Sequence, residues 1–339
     1  SKIMKNLAYI VLVISLFAFT SCEKAIFEPD PENNPEALFE NLWTTFNTDY
    51  AGFEERGVDW DEQYNIYRPQ VNEETSSEEL KEIIKQMLRV FNDGHVSFTT
   101  PDAEVFYSNR ILDERIDNDL FDLDLIKGRY MQNDFKESGY GGNTYGMMGS
   151  IGYLHIAWVG DNMLDMNNIL DFFSDAEGLI VDMRHNGGGN FTYAFSEFGR
   201  FTDEERFVYR SKTKNGTGPD DYTDWYDWNI DPSGEYFDKP LVLLTDRYTI
   251  SAGERLAMAY KTLPNLVHMG DTTSGAIATK IGKELANGWY YSLVTQKTEF
   301  RNGVNYEGPG IPPDIYVKNT MEEMEVGQDR TLEEALAQF

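Results

Sequence analysis

The sequence predicts an α/β fold in which parallel strand–turn–helix units follow a small helical module. Residues 178–183 and 241–244 are compact apolar segments, and each ends in a polar turn that leads into a segment of helical character. A further strand is predicted over residues 267–269, and another over residues 151–158 precedes them all. Repeats of this kind are typical of a parallel sheet with helices across its faces.

Composition and charge narrow the classes of protein to which the chain can belong. It has 339 residues, with 58 acidic against 29 basic ones and a formal net charge of −29. Nucleic-acid binding and contact with an anionic membrane surface both depend on clustered Lys and Arg, so this balance argues against both. The 41% of hydrophobic and 14% of aromatic residues suffice for a packed core, which argues against disorder.

The N-terminal residues have the layout of an export signal. Lys2 and Lys5 precede an apolar run over residues 7–19, which as a helix would rise about 20 Å, too little to cross a bilayer comfortably. The run ends in Phe19-Thr20-Ser21-Cys22, which resembles the lipobox of bacterial lipoproteins. We therefore expect a signal peptide over residues 1–21, lipidation of Cys22, a tether over residues 22–34 and attachment to the outer membrane of a cell envelope. Alternatively, the N-terminal segment is an uncleaved anchor, or Cys22 is a spare thiol. As the only cysteine, Cys22 excludes an intrachain disulfide.

Residues 35–92 have the patterns of a small helical module. Asn34-Pro35 can begin a first helix, and a second is predicted from Trp60 to near Pro69. The clearest helix begins at Ser76 with Glu79 as a capping box, and its apolar residues form one stripe. Gly94 is predicted as its C-cap, followed by a strand at residues 95–98.

The remaining segments are predicted with less detail. Residues 99–150 are polar and mixed, and residues 191–201 have helical character. A helix is predicted from Ser251 to about Thr262, and one antiparallel strand over residues 290–298. Residues 321–339 are expected to form a C-terminal helical tail.

Two turns could carry chemistry. Gly187-Gly188-Gly189 follows a buried strand and could expose backbone N–H groups to an anion or a developing oxyanion, or could simply be a tight turn. Ser251 lies between a strand and a helix, where the helix N-terminus favours negative charge, but Ser251 and Glu254 also read as a plain capping box.

A histidine and an acid could complete a hydrolytic site. Of the four histidines, at positions 95, 155, 185 and 268, His95 follows a loop, and His185, beside the glycine turn, is its main competitor. A neutral imidazole can accept the proton of a serine hydroxyl. Glu307 lies in a Gly/Pro-rich turn and could orient a histidine, or could be one of many acids.

Taken in order, these segments resemble the tail-specific, or C-terminal-processing, serine peptidases and their tricorn-like relatives. The similarity runs from about residue 35 to 318 and implies a crotonase/ClpP-like core, with a helical cap over residues 35–92 and a catalytic domain over residues 93–320. The motifs that carry it are Val58-Asp59-Trp60-Asp61, Asp93-Gly94-His95, Asp182-x-Arg184-x-Asn186-Gly187-Gly188-Gly189, Thr249-x-Ser251-Ala252-Gly253-Glu254, Gly270-x-x-Thr273-x-Gly275 and Gly310-Ile311-Pro312-Pro313-Asp314.

The resemblance implies roles for particular residues. Ser251 would be the nucleophile, His95 its base and Glu307 the acid that holds the imidazole. The backbone N–H groups of Gly188 and Ala252 would form the oxyanion hole.

The chain departs from the family pattern in three places. Relatives with a Ser–Lys dyad have lysine directly after the Thr-x-Gly turn, where this chain has Ala276, and Lys280 lies four residues further on. The tricorn-like tetrad has a second serine beside the histidine, where this chain has Gly94, so Ser97 becomes the candidate fourth member. Residues 99–150 are too few for the PDZ domain of many relatives.

We therefore expect a lipid-anchored serine endopeptidase that acts on peptides or proteins without a metal or an organic cofactor. One alternative is an inactive protein of the same fold that binds peptide or glycan through the acidic aromatic stretch at residues 220–228. Others are a Ser–Lys dyad peptidase that uses Lys280 and a nucleotide-binding protein that uses the glycine turn. The acidic excess predicts a preference for neutral or basic peptide segments.

Overall fold

The structure is a computed structural model that describes residues 32–102 and 105–339. The expected signal peptide, the lipidation site Cys22 and most of the tether lie outside the described residues. Within the described ranges, no helix combines the length and the apolar character that a membrane span requires.

The N-terminal region is helical, as the sequence predicts. Asn34 caps the first helix by accepting a hydrogen bond from Ala37 N (2.9 Å), and Ser76 and Glu79 form the expected capping box. The prediction that Gly94 caps the C-terminus of the Ser76 helix is wrong. That helix is followed by a 3₁₀ turn, which ends at Asn92 in the left-handed conformation (φ 45°). The helices of this region are α1 (Pro35–Asp49), α2 (Phe53–Arg56), α3 (Trp60–Tyr67) and α4 (Ser77–Leu88).

Fourteen strands and seven further α-helices lie in the rest of the described chain, along with short 3₁₀ segments and one π-helical turn. The strands are β1 (Ser97–Thr99), β2 (Phe106–Tyr107), β3 (Lys136–Ser138), β4 (Asn143–Met148), β5 (Ile151–Ile156), β6 (Gly178–Asp182), β7 (Arg206–Thr213), β8 (Tyr226–Ile230), β9 (Leu241–Thr245), β10 (Leu266–Gly270), β11 (Lys280–Glu284), β12 (Tyr290–Val294), β13 (Gln296–Phe300) and β14 (Ile315–Tyr316). The helices are α5 (Arg110–Asp113), α6 (Leu123–Leu125), α7 (Met166–Phe172), α8 (Phe191–Ser196), α9 (Ala252–Tyr260), α10 (Met321–Glu325) and α11 (Arg330–Leu336).

The central sheet has seven strands in the order β14-β10-β9-β6-β5-β4-β3. Its strands from β14 to β5 run parallel, and β4 and β3 extend it in the antiparallel sense. Strands β6 and β9 are buried along their whole length, as their continuous apolar sequences predict for a sheet covered on both faces. The α/β fold class predicted from the sequence is confirmed.

A four-stranded antiparallel sheet, β11-β12-β1-β2, joins the helical region to the rest of the protein. Leu42 and Phe46 of α1 share one apolar core with Phe98 of β1 and Leu293 of β12. The helices of residues 35–92 therefore do not have a core of their own, because part of it comes from strands far along the chain.

The single strand predicted over residues 290–298 is wrong. Strand β12 pairs with β1 and β11, whereas β13 pairs with β7 in a separate three-stranded sheet, β13-β7-β8. Thr295 lies between them and bonds in both directions, donating to Thr279 O (3.2 Å) and accepting from Lys214 N (2.8 Å). The alternating pattern is continuous in the sequence, but the chain passes from one sheet to another there.

Candidate active site

Ser251 occupies the sharp turn between β9 and α9. Its backbone has φ 61° and ψ −120°, a conformation that residues other than glycine rarely adopt. Its N–H donates to Ala276 O (3.0 Å) and to Glu254 Oε2 (3.1 Å). Strained backbone held by surrounding hydrogen bonds is characteristic of functional positions, and a nucleophilic serine on a tight strand-to-helix turn is one known form of it.

Glu254 fixes the segment that lies against this turn. Its buried carboxylate accepts hydrogen bonds from Thr273 Oγ1 (2.6 Å), Gly275 N (2.7 Å) and Ala276 N (3.0 Å), in addition to that from Ser251 N. Burial raises the pKa of Glu254, while these hydrogen bonds oppose the shift. The side chain that reads in the sequence as a helix cap also connects the Ser251 turn with residues 273–276.

The glycine turn approaches Ser251 closely. A Cβ at Gly188 (φ 78°) would lie 2.7 Å from Ser251 Cβ and 2.8 Å from Ile250 O, so only glycine fits there. Asn186 holds the turn, because its Nδ2 donates to Ile156 O (2.8 Å) and its Oδ1 accepts from Gly188 N (3.0 Å). The sequence motif predicts no separate role for Asn186, and the structure shows that its side chain anchors the glycine turn.

The expected oxyanion role of Gly188 does not fit this structure. The Gly188 N–H is already bonded to Asn186, and the Gly187 N–H donates to Ala157 O (3.0 Å). Gly189 lines the cleft beside Ser251, and its N–H is the one of the three that has no acceptor within the described residues. Ala252, the other expected donor, lines the same cleft at the first position of α9, where a helix leaves its N–H groups unpaired.

His95 is buried (3% exposed) and lines the cleft together with Ser251. Its backbone N–H donates to Asp93 Oδ1 (2.8 Å), which fixes the loop before β1. Burial lowers the pKa of His95 to about 3, so the imidazole is neutral at pH 7. The negative charge of Asp93 opposes this shift, and the weaker effects of Lys280, Arg255 and Arg56 add to it. Its Nδ1 has no hydrogen-bond partner, and no hydrogen bond joins the imidazole to Ser251 in the described part of the chain.

Glu307 does not hold the imidazole in this structure. Its Oε2 accepts from Ile277 N and Ala278 N (both 2.9 Å), and its Oε1 accepts from Arg56 Nη2 (2.9 Å). These bonds place Glu307 behind the segment that follows Ala276. Burial and the negative charge of Asp93 raise the pKa of Glu307 to about 7.

Arg56, Asp93 and Tyr50 complete a buried group of charged and polar side chains with Glu307. Arg56 Nη2 lies 3.3 Å from Asp93 Oδ1, and Tyr50 Oη donates to Asp93 Oδ2 (2.8 Å). Burial by itself would lower the pKa of Arg56, but the negative charges of Asp93 and Glu307 outweigh this effect and raise the pKa. Neither Arg56 nor Tyr50 has a role predicted from the sequence. Both lie in or beside the N-terminal helices, where nothing in the local pattern shows a partner as distant as Glu307.

Ser97 does not reach the histidine side chain. It lies opposite Ser292 in the β1–β12 ladder, and the two hydroxyl groups are 2.7 Å apart. Ser292 Oγ also donates to the backbone carbonyl of His95 (2.7 Å). The Ser97 hydroxyl is thus bonded to its cross-strand neighbour Ser292 and not to the His95 imidazole. Ser97 therefore does not fit the expected role of fourth member of the catalytic site.

The cleft around Ser251 has a volume of about 700 Å³. Lys280 lines it as the first residue of β11, whereas Ala276, at the position of the dyad lysine, is fully buried. His185 also lines it, with its ring packed on Tyr248 at a centroid distance of 4.6 Å. The structure therefore brings both candidate histidines and the candidate lysine to the same cleft as Ser251.

The other sequence candidates lie outside this cleft. His155 Nε2 is 3.0 Å from Arg184 O, and His268 Nε2 is 2.8 Å from Thr245 Oγ1. Both imidazoles therefore contact residues in or near strands of the central sheet. In the stretch at residues 220–228, Trp228 packs against the apolar core that contains Phe198 and Tyr209, and Trp225 contacts Arg210. In the described ranges, no group of three or more His, Cys, Asp and Glu side chains could hold a metal ion.

Comparison with known proteins assigns the chain to a family. Residues 150–317 match the Peptidase family S41 domain, and residues 31–89 match the Tricorn protease C1 domain. The tricorn protease of Thermoplasma volcanium is 26% identical over 197 residues, and the carboxy-terminal processing protease CtpA of Bacillus subtilis is 27% identical over 140 residues. These alignments cover 56% and 41% of this chain, but only 17% and 28% of the two relatives.

Solved structures extend the similarity over nearly the whole described chain. A candidate peptidase from Parabacteroides merdae has a TM-score of 0.81 at 28% identity, covering 90% of this chain and 96% of that one. Mature CPAF complexed with lactacystin has a TM-score of 0.66 at 11% identity, covering 89% and 97%, and at this identity it supports the fold alone. The two domain matches together cover about two thirds of the chain, and they show that it is a tricorn-like, C-terminal-processing member of peptidase family S41.

Proposed function

We propose that the protein is a serine endopeptidase in which Ser251 is the nucleophile. The observation that carries the proposal is the strained Ser251 backbone at the start of α9, facing a cleft that also holds His95 and two candidate oxyanion donors. Ser251 Oγ would bond to the scissile carbonyl carbon while its proton passes to His95. The C–N bond would then break as the imidazole returns the proton to the leaving amine, and water would hydrolyse the acyl-enzyme in the same way.

His95 suits the role of general base in one respect and requires movement in another. Because burial lowers its pKa, the imidazole is neutral at pH 7 and has an unprotonated nitrogen, but a general base works best with a pKa near the working pH. No hydrogen bond connects it to Ser251 among the described residues, so the two side chains would have to approach each other when substrate binds. Hydrogen bonds of this kind are often long before substrate is present.

The oxyanion would be stabilised by the N–H groups of Ala252 and Gly189. Ala252 N–H is unpaired by its position in the helix, and Gly189 replaces Gly188 because the Gly188 N–H is occupied by Asn186. A single such donor typically contributes about 3 kcal/mol to the stabilisation of the transition state. Glu307 would act as a positioning residue, through the backbone of residues 277 and 278.

Labelling with a fluorophosphonate tests the proposal directly. The intact mass of the wild-type protein should rise by one adduct, and Ser251→Ala should neither gain the adduct nor cleave peptides. Ser196→Ala, which alters an exposed serine outside the cleft, should behave as the wild type. Absence of labelling in the wild-type protein, or labelling that persists in Ser251→Ala, would contradict the nucleophile assignment and favour an inactive binding protein of the same fold.

We also propose that the protein is exported and anchored through a lipid on Cys22, on the sequence pattern alone. Cells grown with an alkyne-bearing fatty acid should label the wild-type chain but not Cys22→Ser. Equal labelling of both chains would overturn this part of the proposal.

A further inference from the structure

The charge of the cleft is opposite to that of the chain. Although the protein has 58 acidic residues, none of the residues that line the cleft around Ser251 is an Asp or a Glu. Two cationic side chains, Arg255 and Lys280, lie there instead. The preference for neutral or basic peptides expected from the net charge therefore does not apply to the place where a substrate would bind.

Arg255 lies one helical turn after Ser251 on α9 and is held rigidly. Its guanidinium packs over the Phe191 ring at 4.1 Å, and its Nε donates to Ile277 O (2.9 Å). Its Nη2 donates to Thr279 Oγ1 (3.0 Å) and Gln296 Oε1 (2.8 Å), while Nη1 has no acceptor in the described ranges. All its partners are neutral, so the positive charge of this buried side chain is not compensated by a carboxylate in contact with it.

Lys280 is exposed at the edge of the cleft and forms no ion pair with any described residue. The nearby carboxylate that acts on it electrostatically is Asp93, which is already engaged by Arg56 and Tyr50. The ammonium group of Lys280 is thus free to meet a negative group that enters the cleft.

The walls between these cations are largely apolar. Phe191, Tyr107, Leu112 and Ile250 line the same cleft. Opposite charges attract more strongly where apolar walls displace water and lower the effective dielectric constant. A carboxylate bound there would gain more from Arg255 and Lys280 than it would on an open surface.

We propose that this cleft selects a peptide that presents a carboxylate close to the bond to be cleaved, with Lys280 as a specificity-determining residue and Arg255 supplying fixed positive charge. The inference rests on the proposed peptidase function and extends it to a substrate class. The carboxylate is that of an Asp or Glu side chain, because both cations line the cleft beside Ser251, where the residues next to the scissile bond would lie.

The test compares four fluorogenic peptides of one sequence. Three have amidated C-termini and differ only in Glu, Gln or Lys beside the scissile bond, and the fourth carries Gln there with a free C-terminus. The wild-type protein should have a kcat/KM at least tenfold higher for the Glu peptide than for the amidated Gln peptide, and the Lys peptide should be the poorest. A preference for the free-carboxylate peptide over the Glu peptide, or equal rates for all four, would overturn the proposal.

Replacement of Lys280 distinguishes specificity from catalysis. Lys280→Gln should lose most of the preference for the carboxylate and should retain cleavage of the amidated Gln peptide. Lys136→Gln, an exposed change of the same charge on β3, should keep the wild-type preference. An equal loss on all peptides in Lys280→Gln would overturn the specificity role and favour Lys280 as the base.

A binding measurement keeps the inference testable if no peptide is cleaved. Fluorescence anisotropy with Ser251→Ala and the uncleaved peptides should show tighter binding of the carboxylate peptide, weakened by added salt and by Lys280→Gln. Failure of cleavage with retained carboxylate binding would count against the peptidase proposal alone. Binding that does not depend on the carboxylate would count against the inference alone.

Discussion

Arg56 Nη2 lies 2.9 Å from Glu307 Oε1, although the two residues are 251 positions apart in the sequence. The same nitrogen is 3.3 Å from Asp93 Oδ1, so one guanidinium from the helical region lies between two buried carboxylates. Asp93 bonds to the backbone of His95, and Glu307 bonds to the segment that follows Ala276. Arg56 thereby ties the helical region to both sides of the candidate active site.

Loss of Arg56 should destabilise the protein strongly. Arg56→Met would leave Asp93 and Glu307 buried without their shared cation, and removing one partner of a buried pair typically costs about 3–5 kcal/mol. Urea unfolding of the variant should show this loss in the free energy of unfolding. Arg68→Met, which breaks more exposed pairs with Glu36 and Glu40, should cost about 1 kcal/mol or less. Equal losses in the two variants would contradict the role given to Arg56.

Glu307 should give the stability of the protein a distinctive dependence on pH. Its pKa is raised from 4.5 to about 7, so between these values the folded state holds a proton that the unfolded state has released. The contribution to stability is complete below pH 4.5 and is lost as the pH rises toward 7.

The variant Glu307→Gln cannot titrate and isolates this contribution. As the pH rises from 4.5 to 7, the wild-type protein should lose stability relative to Glu307→Gln, as measured by urea unfolding at several pH values. Both proteins retain His95 and His268, whose lowered pKa values act in the opposite direction, so that effect cancels in the comparison. A difference that stays constant across this range would contradict the raised pKa.

The two histidines of the cleft should differ in their importance for catalysis. His95→Ala should lower kcat by about 10²–10⁴-fold, because a general base contributes about that much. His185→Ala should retain most of the activity, since the His185 ring packs on Tyr248 and its backbone N–H is bonded to Asp246. Circular dichroism should show that both variants are folded. A large loss in His185→Ala with little effect in His95→Ala would reverse the assignment.

Gly188 should tolerate no side chain. In Gly188→Ala, the new Cβ would lie 2.7 Å from Ser251 Cβ and displace the nucleophile, and the left-handed backbone would add strain. Displacement of a reacting group by about 1 Å can lower the rate by about 100-fold, which we expect in kcat/KM. Gly128→Ala, at a position where a Cβ meets nothing within 4 Å, is the matched control and should leave kcat/KM unchanged. Activity preserved in Gly188→Ala would show that the turn can move away from Ser251.

The parts of the fold that could be predicted are those whose signal is local. Buried strands such as β6 and β9 are continuous apolar runs followed by turns, and the start of α4 is fixed by the Ser76–Glu79 capping box. The pattern over residues 290–298 is equally regular, yet the chain changes sheets at Thr295. An alternating pattern of apolar and polar residues indicates which face of a strand is buried, but it does not identify the strand with which it pairs.

The candidate active site, too, could be predicted only where its signal is local. Local motifs bring Ser251, His95 and Ala252 to one cleft, because each lies at a turn beside a strand or helix end. The hydrogen bond of Ser97 could not be predicted, since it depends on Ser292 lying opposite once the strands have paired. The hydrogen bond of the Gly188 N–H lies within one turn, but it depends on how Asn186 is oriented by its bond to Ile156 O. Arg56 had no signal, because an arginine in a short polar helix looks like any solvent-exposed one.

The pairing of Arg56 with Glu307 also has a consequence for the order of events during synthesis. Arg56 emerges from the ribosome long before Glu307, and strands β11 and β12, which complete the core of the helical region, are translated late as well. A nascent chain that stops before residue 300 therefore has a serine and a histidine but lacks the carboxylate that joins the two ends of the site. A chain truncated before residue 300 should therefore lack the hydrogen bonds through which Glu307 holds residues 277 and 278, even where Ser251 and His95 are present.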